Sequence, residues 1–210
     1  MKLVVATTNQ GKLRELRELL KDTSVEVVSM KEVLGRDLDI VEDGATFEAN
    51  AEIKARAVHA ATGLATLADD SGLEVDALGG QPGVYSARFS GDGATDATNR
   101  AALVRALSNV KDEAPRGRFR CVLALLVPSV EGPNERGTGE RDPVQFFRGS
   151  CEGHLLREER GENGFGYDPL FVPEEGDGRT MAELEMDMKN RISHRAKAFL
   201  ELKNSLQTRP

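Results

Sequence analysis

Leu64-Ala65-Thr66-Leu67-Ala68-Asp69-Asp70-Ser71-Gly72 is the stretch on which the fold turns. Its small and apolar first half reads as a buried strand, because a continuous apolar run bounded by turn residues fits a strand covered on both faces. The strand delivers Asp69-Asp70-Ser71-Gly72 at its carboxyl end, which is where chemistry is expected. Immediately upstream, about Phe47 to Ala61 is Ala-rich and predicts a long helix, with Gly63 suited to the position just past its end. Downstream come Leu73, Val75 and the turn-rich Gly79-Gly80-Gln81-Pro82-Gly83, then a helix over about Asp96 to Leu107 and a strand over Phe119 to Val127.

Further out the alternation continues. Leu3 to Ala6 reads as a strand and Thr7 to Gly11 as a polar turn, after which Leu13, Leu16, Leu19 and Leu20 recur at helical spacing. Val25 to Val28 predicts another strand. Pro128 to Pro143 is rich in Gly, Pro and charge and reads as an exposed excursion, with Val144 to Ser150 as the partner strand beyond it. Gly161 to Phe171 combines a Gly-rich turn with aromatics, and Thr180-Met181-Ala182-Glu183 matches a capping box opening a helix. A last helix begins at Ser193 as N-cap and runs to about Leu206, with Ala196, Phe199, Leu200 and Leu206 facing inward. Interleaved strands and helices without repeats predict an α/β fold around a mixed sheet, with residues 1–210 as one domain.

Composition narrows the function classes. Hydrophobic residues make up 39% of the chain and charged residues 30%, which excludes both a membrane protein and a disordered chain. The balance of 28 Lys and Arg against 35 Asp and Glu leaves −7, the wrong sign for a general nucleic-acid binder. An anionic ligand therefore requires a local basic pocket. Two cysteines, Cys121 and Cys151, form no CxxC pair, and with three histidines they cannot build a zinc cage. Lys2 starts a strand-like run instead of a secretory leader, so the expected compartment is the cytoplasm, and sequence leaves a Cys121–Cys151 disulfide open.

Four clusters carry candidate chemistry. Thr7-Thr8-Asn9-Gln10-Gly11-Lys12 lies between a strand and a helix N-terminus, where backbone N–H groups and the helix dipole favour an anion. It is not a Walker A loop, since Leu13 stands where a magnesium-binding hydroxyl belongs, and alone it equally fits an ordinary polar turn. Glu42, Asp43, Glu48, Asp69 and Asp70 offer the hard oxygen ligands that Mg²⁺ takes, or else form acidic turns. Asp69 and Asp70 cannot both point the same way in an extended chain. In Gly164-Phe165-Gly166-Tyr167-Asp168-Pro169 the glycines permit close approach, an aromatic ring can stack on a base and Asp168 can accept from base N–H groups, although Phe165 or Tyr167 equally suits a core. Lys189, His194 and Arg195 surround the start of the last helix, where they fit phosphate or purine acceptors as well as solvated surface.

In order and spacing these blocks resemble the inosine triphosphate pyrophosphatase family. The resemblance covers nearly the whole chain, through ATTNQGK at 6–12, EDGATFEANAEIKA at 42–55, ADDSGLEVDALGGQPGVYSARFSG at 68–91, NGFGYDPLF at 163–171 and KNRISHRAKA at 189–198. It implies hydrolysis of ITP, dITP and XTP to the monophosphate and pyrophosphate, with Mg²⁺, on an elongated two-lobed α/β domain with a twisted mixed sheet, flanking helices and an active cleft between the lobes. It also implies a homodimer. On this resemblance Thr7, Thr8, Asn9, Gln10, Gly11 and Lys12 form the triphosphate turn; Glu42 and Asp70 are magnesium ligands, and Asp70 is also the general base. Ser71 contacts substrate, Phe165, Gly166, Tyr167 and Asp168 form the base-binding turn, and Lys189, His194 and Arg195 complete the nucleotide contacts. Selectivity is then expected from donors such as Arg195 and backbone N–H groups, which match a 6-oxo acceptor and leave an adenine amino group unmatched. Two other readings compete: a pyrophosphatase of different base preference, and a nucleotide-binding regulatory module without catalysis. Lys12, Glu42 and Asp70 together favour an enzyme, because a mere binder has less need of metal carboxylates.

Overall fold

The structure is a computed structural model and describes residues 1–128 and 142–207. The apolar run Lys2–Ala6 forms β1, and α1 (Gln10–Leu20) follows at once, burying Leu13, Leu16 and Leu20 on one face. β2 (Glu26–Ser29) leads into a short helix, α2 (Met30–Leu34), that sequence periodicity did not announce. α3 (Phe47–Thr62) ends at Gly63, whose φ of 65° is the left-handed cap expected of glycine. β3 (Ala65–Val75), α4 (Asp96–Leu107), β4 (Arg116–Leu126) and β5 (Val144–Leu155) come next. A short strand β6 (Phe171–Pro173) and two helices, α5 (Met186–Ile192) and α6 (His194–Gln207), complete the described chain.

The described strands form one six-stranded sheet in the order β2-β1-β3-β4-β5-β6. β1 runs parallel to both β2 and β3, whereas β5 and β6 are antiparallel, so the sheet is mixed as expected. Ala6 lies opposite Ala68 in the β1–β3 register, so the turn after β1 and the aspartates of β3 emerge side by side. That register positions the first half of the candidate site.

The chain divides into two compact units, one of residues 1–70 and 123–147 and one of 71–122 and 148–210. In the first, β1 is buried from Leu3 to Ala6 and packs against α2 and α3. In the second, Leu73, Leu103, Leu107, Phe119, Leu155 and Phe171 belong to a single apolar cluster. Burying each such side chain contributes about 1.5–3 kcal/mol. Cys121 and Cys151 are both buried and no disulfide joins them. Burial pushes the Cys151 thiol up to about 12.

Three expectations need correction. β3 does not stop before Asp69 but continues through Asp69 and Asp70 to Val75, because both carboxylates are matched by lysines. Thr180 opens no helix: Glu183 does reach back to its N–H at 2.7 Å, but the Thr180 hydroxyl donates to the carbonyl of Arg160 at 2.8 Å and caps nothing. Helix begins only at Met186. Leu200 is 57% exposed, not inward, while Ala196 and Phe199 are buried. The expectations for 129–141 and for the Leu206 side chain lie outside the described residues.

Candidate active site

In the first unit, the turn after β1 is built by its own side chains. Asn9 caps α1, its Oδ1 accepting the Lys12 N–H at 3.1 Å, and the Thr7 hydroxyl accepts the Asn9 N–H at 3.1 Å. Gln10, Gly11 and Lys12 therefore stand in the first helical turn, where amides lack intrahelical acceptors. Thr8, Asn9 and Gln10 are exposed. Lys12 reaches Asp69 at 2.6 Å, and that aspartate side chain is wholly buried. Asp69 thus fixes the Lys12 ammonium in place.

Strand alternation sends Asp70 the other way. Its Oδ1 accepts from Lys54 Nζ at 2.6 Å, and the same ammonium donates to Glu42 Oε2 at 2.8 Å. Lys54 belongs to the buried stripe of α3, along which Phe47, Asn50, Ala51, Lys54, Ala55 and Val58 recur every three or four residues. Asn50 accepts the Gly44 N–H at 2.8 Å and so ties down the turn that follows Glu42. Sequence reading passed over Lys54 and Asn50, although a polar residue at a core position of an apolar helical stripe is itself a signal. Glu48 stands in the first turn of α3, near that helix's N-cap Thr46.

Burial works against the charge on Lys54, but Asp70 and Glu42 outweigh it and hold the ammonium protonated above its usual range. Burial pushes the Asp70 carboxyl up, against the pull of Lys54 and Lys12. Consistent with that direction, Asp70 Oδ2 is buried and accepts no hydrogen bond among the described residues. An inward carboxylate oxygen without a donor, close to a second carboxylate, is a donor set suited to a hard cation. No group of three or more His, Cys, Asp or Glu side chains suited to a metal occurs among the described residues. Glu42 and Asp70 thus fit an ion that takes one or two carboxylates and completes its shell from water and phosphate, as magnesium does.

The second unit holds the other candidates. Phe165 is half-buried, and Lys189 Nζ and Arg195 Cζ lie 4.9 Å and 5.6 Å from its ring centre. Lys189 is buried and pairs with Asp168 Oδ2 at 2.8 Å, and the same oxygen accepts the Phe165 N–H at 2.9 Å. A side chain at Gly164, where φ is +81°, would run into Asp168. Arg195 is 1% exposed and donates to the Ser71 hydroxyl at 3.3 Å, so it is no solvated surface residue. His194 stacks on Phe119 with ring centres 4.8 Å apart. β5 approaches α6 so closely that a Cβ at Gly149 would strike the His194 carbonyl.

Three members of the turn differ from the sequence expectation. Tyr167 is a core residue: it sits in the apolar cluster, its hydroxyl donates to the Ser86 carbonyl at 2.8 Å, and burial raises its pKa. The Phe165 and Gly166 amides, expected to face a base, donate to Asp168 and Asp96. The remaining donors of this group are the Lys189 and Arg195 side chains.

Comparison with known proteins identifies the family of the chain. The model of the Ham1 family matches residues 3–205. The dITP/XTP pyrophosphatase of Desulforamulus reducens is 50% identical over 210 residues, covering 98% of this chain and 97% of that one. The dITP/XTP pyrophosphatase of Bacillus subtilis (strain 168) is 42% identical over 204 residues, with 97% and 96% covered. Among solved structures, a HAM1 protein from Coxiella burnetii superposes with a TM-score of 0.84 at 40% identity, each chain covered to 100%. The nucleoside-triphosphatase / dITP/XTP pyrophosphatase from Mycobacterium abscessus gives 0.72 at 43% identity, with 96% and 98% covered.

Proposed function

The chain belongs to the Ham1 family, and from that premise we propose that it hydrolyses ITP, dITP and XTP to the monophosphate and pyrophosphate. It is a nucleoside-triphosphate pyrophosphatase, a hydrolase of acid anhydrides that removes non-standard purines from the nucleotide pool. The observation that carries this reading is near full-length identity to relatives named for that activity. The two residue groups support it chemically. A nucleoside triphosphate has an anionic end and a flat, polar end, and the chain has a cationic turn with carboxylates and an aromatic turn with buried cations.

At the phosphate end, Lys12 and the first amides of α1 hold the triphosphate, with Asp69 restraining the Lys12 ammonium so that little reorganisation is needed on binding. Thr7, Thr8, Asn9 and Gln10 line the same turn. Glu42 and Asp70 would hold magnesium, which when bound supplies charge neutralisation at phosphate oxygens and acidifies a coordinated water. Asp70, through the oxygen that accepts no hydrogen bond, orients or deprotonates the attacking water. Lys54 donates to both carboxylates and holds them in register. At the base end, Phe165 supplies the stacking face, and Lys189 and Arg195 supply donors that meet a 6-oxo group and not a 6-amino group. Gly166 and Asp168 shape that turn, Ser71 braces Arg195, and His194 and Tyr167 act from behind as packing.

We read residues 1–210 as a single catalytic domain that works as a homodimer in the cytoplasm, where its substrates arise, with neither membrane nor nucleic acid as partner. No helix among the described residues is long and apolar enough to cross a membrane. Pyrophosphate release from ITP, dITP, XTP, GTP and ATP, each with magnesium and with chelator, tests the function. Magnesium-dependent release largely confined to ITP, dITP and XTP is expected; equal release from all five would overturn the base assignment. Light scattering of the purified protein at twice the 22.8 kDa chain mass is the expected sign of the dimer.

A further inference from the structure

The Gly164–Asp168 turn is held from one side by a helix to which nothing above assigns a part. Asp96 and Arg100 are one turn apart on α4, a spacing that places both side chains on the same face. Asp96 Oδ2 accepts the Gly166 N–H at 2.8 Å, and the Arg100 guanidinium donates to the Gly166 carbonyl at 3.0 Å. Both polar groups of one residue are thus gripped by two side chains of one rigid element. The residue gripped is a glycine at φ +61°, with open space where a Cβ would stand, so no side chain of its own restrains it. Arg100 is also ion-paired, its Nε lying 2.9 Å from Glu159 Oε2, although that nitrogen donates no aligned hydrogen bond among the described residues.

The grip brackets Phe165. On its amino side the Phe165 N–H is held by Asp168, and on its carboxyl side the next residue is held by Asp96 and Arg100. One residue further, Tyr167 is pinned in the core through Ser86. Discrimination by polar matching requires the base to be presented within about 0.5 Å and 10–20° of its partners. A stacking ring on an unrestrained Gly-Phe-Gly segment cannot provide that.

We propose that Asp96 and Arg100 are specificity-positioning residues, which hold both polar groups of the Gly166 backbone and thereby set the pitch of the Phe165 ring for non-standard purines. The inference rests on the nucleotide reading above and adds the device that keeps the base end selective. Asp96 is exposed, so its contact can be removed without opening the core.

Steady-state kinetics with ITP and ATP on the full-length protein test this. Asp96→Ala and Arg100→Ala each raise KM for ITP about tenfold, the equivalent of one charge-assisted hydrogen bond, and change kcat less than about twofold. The ITP-to-ATP ratio of kcat/KM falls by a similar factor. Because both side chains hold one residue, the double variant loses less than the product of the two single effects. Asp96→Asn, which keeps an acceptor oxygen, restores most of the selectivity, and Glu159→Gln leaves it near wild type. Unchanged KM in both alanine variants, or KM rising equally for ITP and ATP, overturns the proposal. If an alanine variant shows no cooperative melt, Arg100→Lys is read instead; it keeps the charge but cannot span Glu159 and Gly166, and it must show the same selectivity loss. A wild-type protein that does not prefer ITP to ATP defeats the function reading itself, a failure visible before any variant is made.

Discussion

Lys54 carries more of the Glu42–Asp70 cluster than any single motif announces. It is a buried cation held between two carboxylates, so removing it takes away the cation that Glu42 and Asp70 share. Lys54→Met is expected to cost about 3–5 kcal/mol of stability, read from denaturant midpoints. Asp70→Asn has the opposite profile: it keeps an oxygen for Lys54 and therefore the fold, but kcat is expected to fall by about 10²–10⁴ with the melting temperature nearly unchanged. Near-normal turnover in Asp70→Asn would remove Asp70 from the reaction. At the other group, Arg195→Ala is expected to raise KM for ITP and narrow its advantage over ATP, and an unaltered ratio would leave Arg195 as packing for Phe165. Each test separates holding the structure from doing the chemistry.

Between single residues and the whole chain, the elements show how local signals were read. The periods of β1, α1, α3 and α4 were legible because apolar residues recur where the chain is buried. α2 was not, although Ser29 and Glu32 form a complete capping box, with the Ser29 N–H donating to Glu32 at 2.6 Å. That bond, with the Ser29 hydroxyl, holds the Glu32 carboxyl below its ordinary value of 4.5. A lowered carboxyl stabilises the fold above its ordinary value, and the gain is lost as pH falls through the lower folded value. Glu32→Gln is therefore expected to cost at most about 1 kcal/mol at neutral pH, since the side chain is 51% exposed, and nothing at strongly acid pH. A pH-independent difference in denaturation midpoints would contradict it. The end of β3 was misread for a different reason. Asp69-Asp70 has the composition of a turn, and only the fold brings Lys12 and Lys54 to neutralise it.

For the molecule as a whole, the α/β class and mixed sheet were legible from the interleaving of patterns, and the family was legible because its motifs are contiguous blocks. What sequence could not supply is which partner each polar atom chooses. The Gly166 amide faces Asp96, and the hydroxyl of Thr180 faces Arg160, through contacts made far along the chain. Lys54 has one more consequence, for how the protein waits between turnovers. Its ammonium is a counter-ion fastened to the chain, which dialysis cannot remove. The resting fold is thus expected to hold without divalent ions, unlike small domains that unfold when their metal is withdrawn. Thermal melts with chelator and with millimolar magnesium, both without nucleotide, are expected to coincide. A large chelator-induced drop would mean that Lys54 is no such substitute. Coincident melts would mean that the enzyme stays folded through any swing in free magnesium.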